Sequence, residues 1–98
     1  MPRRQVRVTP GFFDQVDAQL RPERGLDGEP SATDFIAFEL PAIIDRFADA
    51  FDDLPALLEG VDATRMLIVP GLMVHAVAVY GVLTDDDAVD LIGIAIDP

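Results

Sequence analysis

Cysteine, lysine, asparagine and tryptophan are absent from the 98 residues, and histidine, tyrosine and serine occur once each. Without cysteine there is no disulfide framework, thiolate zinc site, iron–sulfur ligation or cysteine nucleophile. The single serine, Ser31, sits where a helix begins, so capping is its expected role rather than that of a nucleophile. Gly25 and Gly28 lack the flanking pattern of a dinucleotide or phosphate loop. No apolar run approaches the roughly 20 residues that span a bilayer. The basic start Met1-Pro2-Arg3-Arg4 is not followed by the apolar stretch of a secretory signal. The expected compartment is the cytoplasm, with no membrane association, and no residue pattern asks for a cofactor or a metal.

What is present is globular. Half the residues are hydrophobic and 26% are charged, enough for one core and one domain over residues 1–98. The charge is lopsided, with 18 acids against seven arginines and a net of −11. Residues 1–24 hold five arginines (Arg3, Arg4, Arg7, Arg21, Arg24) against three acids, or +2. From residue 25 onward fifteen acids face two arginines, or −13. Such a surface repels a phosphate backbone, so direct non-specific nucleic-acid binding is not expected. The acidity suits solubility in a salt-rich solvent; it also suits an acidic face for a basic partner.

Periodicity divides the chain near residue 65. Residues 3–9 alternate as an edge or half-buried strand, with Val6 and Val8 on one face. Thr9-Pro10 opens a helix over about 10–20 whose apolar side is Phe12, Val16 and Leu20. Residues 21–30 are a Pro- and Gly-rich loop. A second helix over about 32–54, capped by Ser31 or Thr33, repeats apolar residues at Ile36, Leu40, Ile43, Phe47, Ala50 or Phe51, and Leu54, with Phe35, Phe38 and Ile44 widening the stripe. Pro41 either kinks it or opens a separate helix. Residues 60–64 are a connector, 65–69 a short strand, Pro70-Gly71 a turn, 72–84 a central strand with two apolar faces, and 88–97 a last strand. On that last strand Ile92, Ile94 and Ile96 share a face. Asp85-Asp86-Asp87 reads as a hydrated turn, because it lacks the spaced ligands of a calcium loop. The expectation is a two-layer α+β domain in the order β-α-α-β-β-β, with a four-stranded, mostly antiparallel sheet and helices on one face.

Several stretches carry a resemblance. Val6-Arg7-Val8-Thr9-Pro10 leads into Phe12-Phe13-Asp14-Gln15-Val16. Phe47 through Leu54-Pro55 ends the second helix. A strand opens with Arg65-Met66-Leu67-Ile68-Val69, and residues 74–83 and 89–96 close a hairpin. In this order the chain resembles, over nearly its whole length, the RelE/ParE superfamily of toxins from bacterial type II toxin–antitoxin modules. That resemblance implies a toxin-like component that binds a macromolecular target, gyrase for ParE-like members or the mRNA-bearing ribosome for RelE-like ones, and that is neutralised by a cognate antitoxin. An interaction module on the same fold with toxin activity lost is the alternative.

RelE-like nucleases use basic residues and often a Tyr or His on their last strands. Metal-free RNA cleavage needs a cation, a base and an acid, for which Arg65, His75 and Tyr80 are the available candidates. His75 and Tyr80 lie five apart and point to opposite faces unless a bulge intervenes. Arg65 has the alternative of pairing with Asp62 or a helix acid, and Tyr80 that of a core residue. Residues 91–98 carry no Arg, Lys, His or Tyr, which weighs against ribonuclease chemistry. Arg65, Phe12 and Phe51 are the candidates for partner contact; the spacing of the phenylalanines also fits helix core.

Overall fold

Thr9 ends the first strand and starts the first helix. Its hydroxyl accepts a hydrogen bond from the Phe12 N–H and donates one to the Leu91 carbonyl at 2.8 Å. In the computed structural model, which describes residues 3–97 except 24, 27, 29 and 59 and the side chains of 58, 61 and 62, this residue joins β1 (Val6–Val8) to α1 (Pro10–Gln19). Pro10 occupies the first turn of α1, where a missing N–H leaves nothing unpaired.

The second helical segment begins at α2 (Ala32–Asp34), with Ser31 and Asp34 in a reciprocal capping box. It then widens into a π-helical turn, Phe35–Glu39, in which the Leu40 N–H reaches back to the Phe35 carbonyl. It continues as α3 (Leu40–Ala50), with Pro41 in its first turn, and ends in a 3-10 turn, Phe51–Asp53. Pro41 therefore opens a new helical stretch. The extra residue of the π turn rotates what precedes it. Phe35 is fully buried, while Ile36, expected on the apolar stripe, is 37% exposed and Phe38 is 56% exposed.

Four strands follow: β2 (Ala56–Leu58), β3 (Val61–Pro70), β4 (Ala76–Leu83) and β5 (Val89–Asp97). The sheet is five-stranded and mixed, in the order β1-β5-β4-β3-β2, with β1 parallel to β5 and the other pairs antiparallel. This corrects the expected four strands. β2 has three residues, too few for alternation to register in the sequence. β3 starts at Val61, not at residue 65, and residues 60–64 are largely strand rather than connector. β4 starts at Ala76, not at 72, because residues 72–75 are held in a bend.

One bulge reorganises β5. Gly81 pairs with Leu91 but Tyr80 pairs with Gly93, which makes Ile92 an extra residue on β5. Val89 and Leu91 are buried on one side of it and Ile94 on the other, whereas Ile92 is 44% exposed. The three isoleucines therefore do not share one face.

The core lies between the helices and the sheet. Phe12 and Val16 of α1, Phe35, Ile43, Phe47 and Phe51 of the second segment, and Leu67, Val77, Val79 and Leu91 of the sheet form one cluster. Each buried Phe or Leu contributes about 1.5–3 kcal/mol of transfer free energy. Phe47 sets a local limit: a Cβ at Gly81 would lie 2.6 Å from its Cε1. The helices thus cover one face of the sheet in two α+β layers.

Candidate functional site

The π turn has a second consequence. It aims Glu39 inward, where the side chain is buried, and leaves Phe38 outside. The Glu39 carboxylate accepts the Leu72 N–H at 2.6 Å and the Met73 N–H at 3.2 Å. Glu39 is therefore the physical reason residues 72–75 bend instead of extending β4. Gly71 lets the chain pass: a Cβ there would stand 2.5 Å from Glu39 Oε2 and 2.5 Å from Val74 Cγ2. The far end of the loop is tied by the His75 N–H, which donates to the Asp97 carbonyl at 2.9 Å.

Between this loop and α3 lies a cleft of about 370 Å³. Ile43, Leu67, Val69 and Val77 line its interior, and Phe38 and Leu72 also line it. Phe38 at 56% and Leu72 at 82% exposure form an apolar rim. Asp45 and Arg46 supply polar atoms to the lining. Asp45 is engaged by Arg3 at 2.6 Å, whereas Arg46 makes no ion pair with a described residue. The cleft suits an apolar side chain. Its one buried carboxylate already accepts two backbone N–H groups, and the lining residues include no serine, histidine or tyrosine.

The sequence candidates fall in separate places. Arg65 Nη1 donates to the Leu54 carbonyl at 2.8 Å and the Asp52 carbonyl at 3.2 Å, closing the end of the second helical segment. Its guanidinium lies 5.5 Å from the Phe51 ring centroid, and that of Arg4 lies at the same distance from the same ring. The Asp62 side chain, considered as a partner for Arg65, lies outside the described residues. Tyr80 is opposite Met66 and Gly93, on the side of the sheet away from the helices. His75 is exposed in the bend before β4. The sheet does not gather these three into one cluster. Phe12 and Phe51, 0% and 1% exposed, are core residues and offer no surface to a partner. The phenylalanine that does face solvent is Phe38, which periodicity places on the apolar stripe because no sequence pattern announces the π turn.

No family model matches the chain, and neither does any curated protein or solved structure.

The charge asymmetry of the sequence is answered within the fold. Arg3 pairs with Asp45 and Asp49 at 2.6 and 2.7 Å, Arg4 with Asp52 and Asp87 at 3.3 Å each, and Arg7 with Asp86 and Asp90 at 3.0 and 2.7 Å. Each of these three arginines bridges two aspartates, so Arg3, Arg4 and Arg7 are spent on the acidic remainder. Hydrogen bonds to Asp45, then the nearby Asp49 charge, raise the Arg3 pKa; hydrogen bonds to Asp90 and Asp86 raise that of Arg7. The Asp86 carboxyl is held below the usual carboxylate range, first by the Thr84 hydroxyl and then by Arg7. Among the described residues no three His, Asp or Glu side chains form a metal-sized group, and no helix is long and apolar enough to cross a membrane.

Proposed function

We propose that this chain acts by binding another protein, as the toxin-like component of a RelE/ParE-type toxin–antitoxin module neutralised by a cognate antitoxin. The observation that carries the binding part is the exposed rim of Phe38 and Leu72 over a preformed apolar cleft. Large exposed apolar side chains around a concavity are the surface on which partner side chains anchor. The element order of one strand, two helical segments and consecutive antiparallel strands supports the RelE/ParE assignment, beside the stretches quoted above. The macromolecular target would be of gyrase or ribosome type.

One observation favours the second reading, an interaction module without toxin activity. The Arg65 guanidinium is engaged by carbonyls and the Phe51 ring, and His75 and Tyr80 stand apart. Both readings are tested by expressing the chain alone and together with the product of the neighbouring short reading frame. Growth arrest relieved by the neighbour, with co-purification, supports the toxin reading. Co-purification without arrest supports the interaction module. A chain that purifies alone and arrests nothing contradicts both.

A further inference from the structure

The β5 edge outlives its partner strand. β1 is three residues long and pairs with Val89–Leu91, after which the chain turns away into α1. β5 continues to Asp97, so the edge beyond Leu91 needs another source of hydrogen bonds. Two glutamines supply it. Gln15 Nε2 donates to the Ile92 carbonyl at 3.3 Å, and its Oε1 accepts the Ile94 N–H at 2.9 Å. Gln19 repeats the pattern one step on, with Nε2 donating to the Ile94 carbonyl at 2.8 Å and Oε1 accepting the Ile96 N–H at 2.7 Å.

This is the bonding of a parallel strand. In a parallel ladder each residue of one strand bonds to the carbonyl and the N–H of residues two apart on its neighbour. Gln15 bridges residues 92 and 94, and Gln19 bridges 94 and 96. The spacing explains why a helix can do this. Two glutamines four apart are separated by about 6.0 Å along a helix axis, and two strand residues by about 6.6 Å. The bulge at Ile92 keeps the series in phase. Before it the Val89 N–H and Leu91 carbonyl face the β1 side and bond to the Gln5 carbonyl and the Thr9 N–H. After it the even-numbered residues do. Gly93 leaves room, since a Cβ there would meet Tyr80 Cδ2 at 3.2 Å and Gln15 Oε1 at 3.5 Å.

We infer that Gln15 and Gln19 are a built-in guard, a surrogate strand that completes the sheet and keeps the β5 edge from pairing with a second copy of this chain. An unpaired edge is a template for strand addition, and residues 91–96 are apolar apart from the Gly93 backbone. Phe12 and Val16 anchor α1 in the core independently of the two amides. Removing the amides therefore strips the β5 edge of its hydrogen-bond partners without removing the helix's own anchors.

Residue-resolved amide exchange tests the ladder, and concentration-dependent size-exclusion chromatography tests the guard. Gln15→Ala should speed exchange of the Ile94 amide about five- to tenfold while leaving Ile96 protected, and Gln19→Ala should do the reverse. The double variant should elute earlier as concentration rises, where the unaltered chain does not. Gln15→Met with Gln19→Met keeps side-chain length and helix propensity but offers neither N–H donor nor carbonyl acceptor, and serves if the alanine pair fails to fold; it should likewise lose protection at Ile94 and Ile96 and elute earlier as concentration rises. Unchanged exchange in the single variants overturns the ladder. Lost protection with unaltered elution overturns the guard.

Discussion

The Glu39 carboxylate holds the Leu72 amide at 2.6 Å, and this bond decides where the rim of the cleft stands. It connects the π turn, Phe35–Glu39, to the bend before β4, two segments 33 residues apart. Replacing Glu39 by Leu deprives two backbone donors of their acceptor, which costs about 1–3 kcal/mol where the groups stay dry. Glu39→Gln keeps one side-chain acceptor and should cost less. Amide exchange at Leu72 and Met73 should rise in both variants, and most in Glu39→Leu, before any change at Val79.

Arg65 offers a contrast between structure and chemistry. Its bonds to the Leu54 and Asp52 carbonyls, with the Phe51 ring beside it, make it a closing residue for the second helical segment. Arg65→Ala should lower stability by about 1–2 kcal/mol, and each 1 kcal/mol is about 4–8 °C in Tm for a domain of this size. Arg65→Lys should recover only part, because a single ammonium does not reproduce the planar fork over the ring. Thermal unfolding checks both. An unchanged Tm would return Arg65 to the surface as a group that serves only a target.

Much of the fold is legible in the sequence. Thr9-Pro10 and Ser31 announced the helix starts, because capping is local chemistry. The phenylalanine spacing announced a core because a sheet-packed helix demands it. Two of the failures share a cause: single-residue insertions are silent in composition. The π turn keeps Phe35 in the core but turns Ile36 and Phe38 out of the apolar stripe, and so creates the rim at Phe38. The bulge at Ile92 split an apparently continuous isoleucine face. No sequence pattern marks Glu39, whose carboxylate meets amides 33 and 34 residues away. Parity sets His75 and Tyr80 on opposite faces only if they share one strand, but His75 lies in the bend before β4, so their separation follows from the loop and not from strand alternation.

Acid sensitivity should be measurable at the β4–β5 turn. Asp86 titrates below the usual range because the Thr84 hydroxyl and then Arg7 stabilise its charged form. A carboxylate depressed in the folded state adds stability that is present above its unfolded pKa and lost as pH falls through the folded one. Carboxyl-carbon NMR titration should therefore place the Asp86 midpoint below the usual aspartate range. Thr84→Val should raise it more than Arg7→Ala does. The reverse order would show the guanidinium to be the larger influence.

The central claim is that a partner docks on the cleft between α3 and the loop before β4. The most direct measurement is the affinity of the purified neighbouring gene product for three single variants: Phe38→Ala, Leu72→Ala and Ile68→Ala. Ile68 is 63% exposed but pairs with Ala78 on the side of the sheet away from the helices. The account predicts that Phe38→Ala and Leu72→Ala each weaken binding about tenfold or more, as anchors in a docking site do. Ile68→Ala should leave it within about twofold, as a side chain outside the contact does. Binding that ignores Phe38 and Leu72 and collapses with Ile68→Ala would contradict the account and move the partner to the open sheet face.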